Sequence, residues 1–461
     1  MSYLRELLCV FTEQEVSDLL AQDFTGNEKI VLKYLCEKRS NENADEDLMT
    51  QRGFSRSYFD KLTSILYNKC LLFVSSAEPH LQLAFLGRRH LHPHIYHQLK
   101  IQQRSIQSGK LQVDKEVYYL IAFKTLRQMG FEYYKPEKVK EYGERYLQSL
   151  KHRTKDEELR IELMHLSVYL QYMRSIGKSK SYEQKLRDRL IEIEPLIANN
   201  KLPRAEYYYY NTLSWFNVHY TQNNNAIIEN LKKMLAAYEA NKTLFVAFDR
   251  VFVIRALAEA YYDASEYEKS FNLYEELWNK HYDLVNTNYY HQSHYHDVAM
   301  ITGRNKEAEY ILKEIFVKTL KFEVTQSPKM SSMFQHIKHY LLKNEVELAI
   351  EYLNEGIAHN NKNIMILDEI SLRILQVACF VLLKDFSTAQ QLISRHKKFL
   401  GLKQIKPQDN VLYQFFDIAN QIIRYHQKGT PPNPEKLESI QQFHKGKLKI
   451  YGMIIDKMMG D

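Results

Sequence analysis

Glycine and proline are scarce in this chain, 14 and 10 in 461 residues, and such scarcity disfavours turn-rich all-β folds. Cysteine is scarcer still. Cys9, Cys36, Cys70 and Cys379 stand far apart with no CxxC pair, which argues against a disulfide framework or a zinc site and for buried reduced thiols. No apolar run approaches the roughly 20 residues of a membrane-spanning helix, and Met1–Val10 lacks the basic start and long apolar core of a signal peptide. A cytoplasmic protein without a membrane partner is therefore expected. The phosphate-binding GxxxxGK loop, GxGxxG, HExxH and GxSxG are all missing, and no carboxylate pair stands apart from the many solvated surface acids. Neither an enzyme, nor a cofactor, nor a metal site is expected.

What the chain does have is length and helix-forming composition. With 461 residues it exceeds one ordinary hydrophobic core, so it must hold several domains or a modular array. The formal charge of +7 is unevenly spread: residues 1–50 carry 5 Lys/Arg against 11 Asp/Glu, whereas residues 51–110 carry 9 against 2. That total is too modest for a dedicated nucleic-acid binder, but it allows a polyanion partner locally.

From about Val113 onward the pattern is of paired amphipathic helices separated by short polar breaks. The breaks fall near Gly130, Gly177, Asn223–Asn225, Ala264–Ser265, Gly303, Lys343–Asn344, Lys384–Asp385 and Gly429, about 40 to 47 residues apart. Such regularity predicts a solenoid in which neighbouring pairs stack into one continuous core.

In Ile254–Leu277, IRALAEAYYDASEYEKSFNLYEEL, the chain resembles a tetratricopeptide repeat: Leu257 and Ala258 stand for its Leu-Gly pair, followed by Tyr261, small Ser270 and Tyr274. Ala299–Ile315, with Ala308 and Leu312, and Tyr340–Leu353, with Ala349 and Leu353, resemble it too. The usual opening Trp and closing Pro are missing, and the period exceeds the family's roughly 34 residues. The resemblance implies an all-α fold, a TPR-like α-α superhelix over 111–461, with a capping helix at Leu448–Met459 covering the last core edge. It also implies a protein or peptide partner on the concave face, which the first helix of each pair lines. The groove residues expected on that basis are Asn211, Ser214 and Trp215, with Arg255, Glu259, Tyr262, Tyr290, Ser293 and Asp297. The tyrosine run at Glu206–Tyr220 strengthens the choice, because four successive tyrosines cover every side of a helix and one or two must leave the core.

Residues 1–110 read as a helical head. Thr12 with Glu15 forms a capping-box pattern, and DLMTQRGFSRSYFDKLTS (Asp47–Ser64) resembles a helix-turn-helix in which Gly53 turns the chain and Phe54 anchors it. The resemblance implies that Ser55, Arg56, Ser57, Tyr58 and Lys61 could contact DNA. Met49, Arg52 and Asp60 depart from that pattern. Cys70–Phe85 is open to two readings, a β-hairpin wing around Ala77–Pro79 or further helix. The histidines of Gly87–Lys100 read as a basic, partly exposed connector interrupted by Pro93, and His296 is expected near a close-packed small position. Two functions remain in play: a peptide-binding scaffold, or a ligand-responsive DNA-binding regulator.

Overall fold

The computed structural model describes residues 3–9, 11–38, 41, 43–75, 78–88, 91–127, 135–176, 180–285, 289–321, 326–359, 366–402, 411–429 and 440–460. Among them the chain is all-α, with no strand. The expected breaks at Gly130 and Gly177 lie outside the described residues. Two compact units divide the chain, one of Met1–Leu244 with Phe322–Val324, the other of Phe245–Lys321 with Thr325–Asp461.

The first unit opens with α1 (Tyr3–Cys9), α2 (Glu13–Leu20) and α3 (Gly26–Glu37). Thr12 caps α2 as the sequence predicts: its hydroxyl accepts from the Glu15 N–H at 3.1 Å, and its own N–H donates to the Glu15 carboxylate at 2.7 Å. Next come α4 (Ala44–Arg52) and α5 (Arg56–Val74), joined at Gly53, whose φ of 62° is left-handed backbone that glycine adopts without cost. Then follow α6 (Pro79–Arg88), α7 (His92–Gln107), α8 (Lys115–Arg127) and α9 (Pro136–Ser149).

Two of the open questions close here. Cys70–Val74 is the end of α5 and Pro79–Phe85 belongs to α6, so the described parts of the expected wing are helix. Pro93 does not interrupt a helix but starts one, at the first turn of α7, where its missing N–H costs nothing. Nor is His94 exposed: it is fully buried between the Tyr67 hydroxyl at 3.1 Å and the Glu6 carboxylate at 2.8 Å. One core runs from Leu4 of the head to Val168, so residues 1–110 share their interior with the helices that follow. Those are α10 (Lys155–Ile176), α11 (Lys180–Asn200), α12 (Pro203–Phe216) and α13 (Asn224–Ala240), where α12 packs on α10 and α13.

In the second unit the paired-helix pattern is regular. Its first pair is α14 (Ala247–Asp263) and α15 (Tyr267–Lys280), with a short α16 (Tyr282–Val285) after it. Then come α17 (Tyr289–Ile301) with α18 (Asn305–Lys321), α19 (Gln326–Leu342) with α20 (Val346–His359), and α21 (Ile366–Leu382) with α22 (Phe386–Leu402). The series ends with α23 (Val411–Lys428) and α24 (Lys449–Met459). Four pairs share one turn. Ser265, Gly303, Asn344 and Lys384 take φ values of 64°, 74°, 63° and 60°. The next N–H reaches back to close each turn: Glu266 to Tyr261 at 2.9 Å, Arg304 to Ala299 at 2.8 Å, Glu345 to Tyr340 at 2.8 Å, and Asp385 to Phe380 at 3.0 Å. This is the Schellman arrangement, which satisfies the carbonyls a helix end leaves bare and reverses the chain in three residues.

Each turn is followed by the same packing device. Ser270, Ala308, Ala349 and Ala389 lie one turn into the second helix, all completely buried, and each N–H bonds the capping residue's carbonyl. A small side chain at that point lets the second helix approach the first closely, and the Ser270 hydroxyl donates to the Ala258 carbonyl at 2.8 Å. The first helices then stack in a row, α14 on α17, α17 on α19, α19 on α21 and α21 on α23.

Candidate functional site

The row of first helices in the second unit is covered by a helix of the same chain. α24 touches α17, α19, α21 and α23, and the turn leading into it touches α14. Leu448–Met459, expected as a capping helix over the last core edge, touches α23 there and also runs as a strap along α21, α19 and α17. The physical reason is its composition: Ile450, Ile454, Ile455 and Met458 are buried, and of its eleven residues only Lys457 is exposed. An apolar surface so broad needs more than the edge of one helical pair to cover it.

Within the row the first helices are joined by polar contacts. Lys338 of α19 places its ammonium 2.9 and 2.8 Å from the two Asp297 oxygens of α17, and both side chains are 8% exposed. His296 Nδ1 lies 3.1 Å from Gln335 Oε1, and its Nε2 shares a hydrogen bond with His339 Nδ1, also at 3.1 Å. Two residues before His296, His294 Nδ1 is 3.8 Å from Glu259 of α14.

These contacts set the ionisation of the row. Burial alone would raise the Asp297 carboxyl, but the Lys338 charge and the hydrogen bond and charge of His296 outweigh it and bring it down to about 2. Glu259 follows the same logic: burial pushes it up, and His294 then holds it well below the usual carboxylate range. Burial lowers His291 and His339 to about 3, helped by Arg255 for the first and by His296 for the second, so both rings are neutral near pH 7. Tyr262 and Tyr274 are buried, their hydroxyls have no hydrogen-bond partner among the described residues, and burial pushes both well up. Among the described residues no group of His, Cys, Asp and Glu is arranged to hold a metal ion.

The sequence-predicted groove residues divide. Glu259, Tyr262 and Asp297 do come together on α14 and α17, where the Tyr262 ring meets His294 edge-on at 5.8 Å. Arg255 is half-buried with its guanidinium 5.6 Å from the Phe252 ring, and Ser293 is buried. The Tyr290 side chain lies outside the described residues. In the first unit two of the three are buried, as Tyr262, Ser293 and Asp297 are in the second. Asn211 and Ser214 are buried, the Ser214 hydroxyl turned back onto the Tyr210 carbonyl at 2.8 Å, because α12 is covered by α10 and α13. Trp215 is half-buried against the core around Leu159 and Leu163.

In the head, Ser55, Arg56, Ser57, Tyr58 and Lys61 are all exposed at the start of α5. They are not idle. The Ser55 hydroxyl accepts from the Tyr58 N–H at 3.3 Å, Arg56 pairs with Asp60 at 3.2 Å, and the Tyr58 hydroxyl accepts from Asn27 at 2.9 Å. Sequence reasoning missed Gln335, Lys338 and His339 entirely, and the seat of α24 with them.

Compared with protein-family models, curated proteins and solved structures, the chain matches none. Among the described residues no helix is long and apolar enough to cross a membrane.

Proposed function

We propose that this chain is a non-enzymatic, cytoplasmic interaction protein of the TPR-like kind, and that its working surface is the row α14, α17, α19, α21 and α23. A partner is held there as an amphipathic helix laid along the row, the helix-in-groove mode of recognition. One observation carries the reading: the chain's own α24 occupies that surface, with four apolar side chains buried and one lysine outward. A surface that holds one helix in this way is complementary to others of the same pattern. Anisotropy of a labelled Lys449–Asp461 peptide added to the full chain tests it. An Ile454→Asp/Ile455→Asp chain, whose own α24 is disfavoured by two buried carboxylates, binds the peptide but not a scrambled one. Wild type binds at least about tenfold more weakly, because a tethered helix competes at roughly millimolar effective concentration. If the variant chain ignores the peptide, the reading fails.

Reading of duplex DNA by the head is the second possibility, favoured by the exposure of Ser55, Arg56, Ser57, Tyr58 and Lys61 on one helix start. The acidic first turn of α4, with Asp45, Glu46 and Asp47, weighs against it. Phosphate contacts give a steep salt dependence, so a titration on mixed-sequence duplex decides. A steep slope that flattens in Arg56→Ala/Lys61→Ala supports the regulator, and no binding at low salt removes it.

A further inference from the structure

The strap is held at its two ends by unlike contacts. At the α23 end Phe443 is completely buried, edge-on to Phe415 at 6.3 Å, the Gln442 amide donates to Gln414, and His426 meets the Met458 carbonyl at 2.9 Å. The turn before α24 folds tightly against it. A Cβ on Gly452 would lie 2.6 Å from the Phe443 carbonyl oxygen, so the close approach requires glycine there. At the α14 end the hold is different. It is a backbone latch on Gly446, whose N–H donates to the Ser265 hydroxyl at 2.9 Å and whose carbonyl accepts from Tyr267 at 3.4 Å. Gly446 has a φ of 51°, and a Cβ on it would stand 3.0 Å from the Asp263 carbonyl oxygen. Beside it Lys447 pairs with Asp263 at 3.4 Å, but both side chains are 40% exposed or more, and such a pair contributes little.

From these contacts we infer that Ile440–Gly460 is a resident competitor for the partner helix, and that the Gly446 latch sets how readily it yields. This rests on the reading of the row as a helix-binding surface, and names how that surface is regulated. The α23 end is anchored by the completely buried Phe443 packed on Phe415, with two hydrogen bonds beside it. The α14 end is a long hydrogen bond, a normal one and a solvated ion pair, so release begins there, at the turn on α14, and peels α24 from α17 toward α23. The partner that displaces it is an amphipathic helix with apolar residues spaced like Ile450, Ile454, Ile455 and Met458. It has no need of the latch, because the latch lies outside α24.

The probe is the labelled Lys449–Asp461 peptide, which lacks Gly446 and so cannot form the latch itself. It is titrated into four full-length chains: wild type, Gly446→Ala, Ser265→Gly/Tyr267→Phe, and Gly303→Ala. Gly446→Ala puts a side chain into left-handed backbone against the Asp263 carbonyl, and the double variant removes both latch partners without straining the turn. Gly303 is also left-handed, with φ of 74°, but open space surrounds its Cβ position and it belongs to the α17–α18 turn. Its substitution therefore carries the backbone strain without touching the latch. Gly446→Ala binds the probe roughly five- to thirtyfold more tightly than wild type, the factor that left-handed strain at one residue supplies, and the double variant gains about as much from the two hydrogen bonds it loses. Gly303→Ala binds like wild type. If Gly303→Ala gains as much as the latch variants, general loosening is responsible and the latch is refuted. If the latch variants gain nothing while the Ile454→Asp/Ile455→Asp chain binds the probe, the latch is again refuted and the helix-binding surface stands. If that chain also fails to bind, both fall together.

Discussion

Replacing Lys338 by Met removes the one group that, among the described residues, brings a positive charge within 3 Å of the Asp297 carboxylate, with contacts of 2.9 and 2.8 Å. At 8% exposure on either side, neither group is well hydrated. An uncompensated buried charge costs about 3–5 kcal/mol, whereas replacing both members of a buried pair by apolar side chains is often neutral. Lys338→Met should therefore destabilise the second unit by about that amount, and Lys338→Met/Asp297→Leu should recover all but roughly 1–2 kcal/mol of it. The two tryptophans make the assay clean: Trp215 belongs to the first unit and Trp278, 8% exposed, to the second. In a Trp215→Phe background, urea unfolding followed by fluorescence reports the second unit alone. The pH dependence adds a sign. Asp297 is depressed in the folded state, so its contribution is fully present above its unfolded value near 3.8 and is lost as pH falls toward about 2. Without Lys338 the largest lowering influence is gone, so the folded-state carboxyl titrates higher than in wild type, and the deficit of the variant shrinks as pH falls through that higher value and is lost toward about pH 2, where the wild-type contribution is lost too. A single variant as stable as wild type at pH 7, or a double variant as damaged as the single, would refute the account of this pair.

The packing device after each turn predicts that Ala389→Leu, at a completely buried position where α22 approaches α21, lowers stability by about 1–3 kcal/mol through overpacking. The urea midpoint of the Trp278 signal reads it. Lys384 holds left-handed backbone at φ of 60° with a side chain that disfavours it, so Lys384→Gly should raise the same midpoint, by about 0.5–1 kcal/mol after glycine's extra entropy is counted. An unchanged or lowered midpoint would mean that the Lys384 side chain makes an offsetting contact.

The breaks at Ala264–Ser265, Gly303, Lys343–Asn344 and Lys384–Asp385 were legible because each interrupts the apolar period where the chain reverses, although only one of the four left-handed residues is glycine. Ser270, Ala308 and Ala349 were legible as small residues in a bulky pattern, and all three are buried as their positions imply. Asp297 was expected in a groove and is buried instead, and its partner was not legible at all. The two are 41 residues apart, and their meeting depends on how α17 and α19 stack, which local pattern does not encode. Asn211 and Ser214 are buried for a related reason: polar residues on a first helix face outward only if nothing covers that helix, and α10 and α13 cover α12. The composition of α24 told that it must be buried, not against what. Its destination emerges only from the Gly446 contacts with the α14–α15 turn and the Phe443 contact with α23.

The central claim is that the row of first helices in the second unit is where a helix binds. Hydrogen exchange on the Ile454→Asp/Ile455→Asp chain, with and without the Lys449–Asp461 peptide, tests it most directly because it reports location as well as binding. The account predicts new protection in α17, α19, α21 and α23, the helices that α24 touches. Protection confined to the second helices α15, α18, α20 and α22, or to the exposed start of α5, would contradict it.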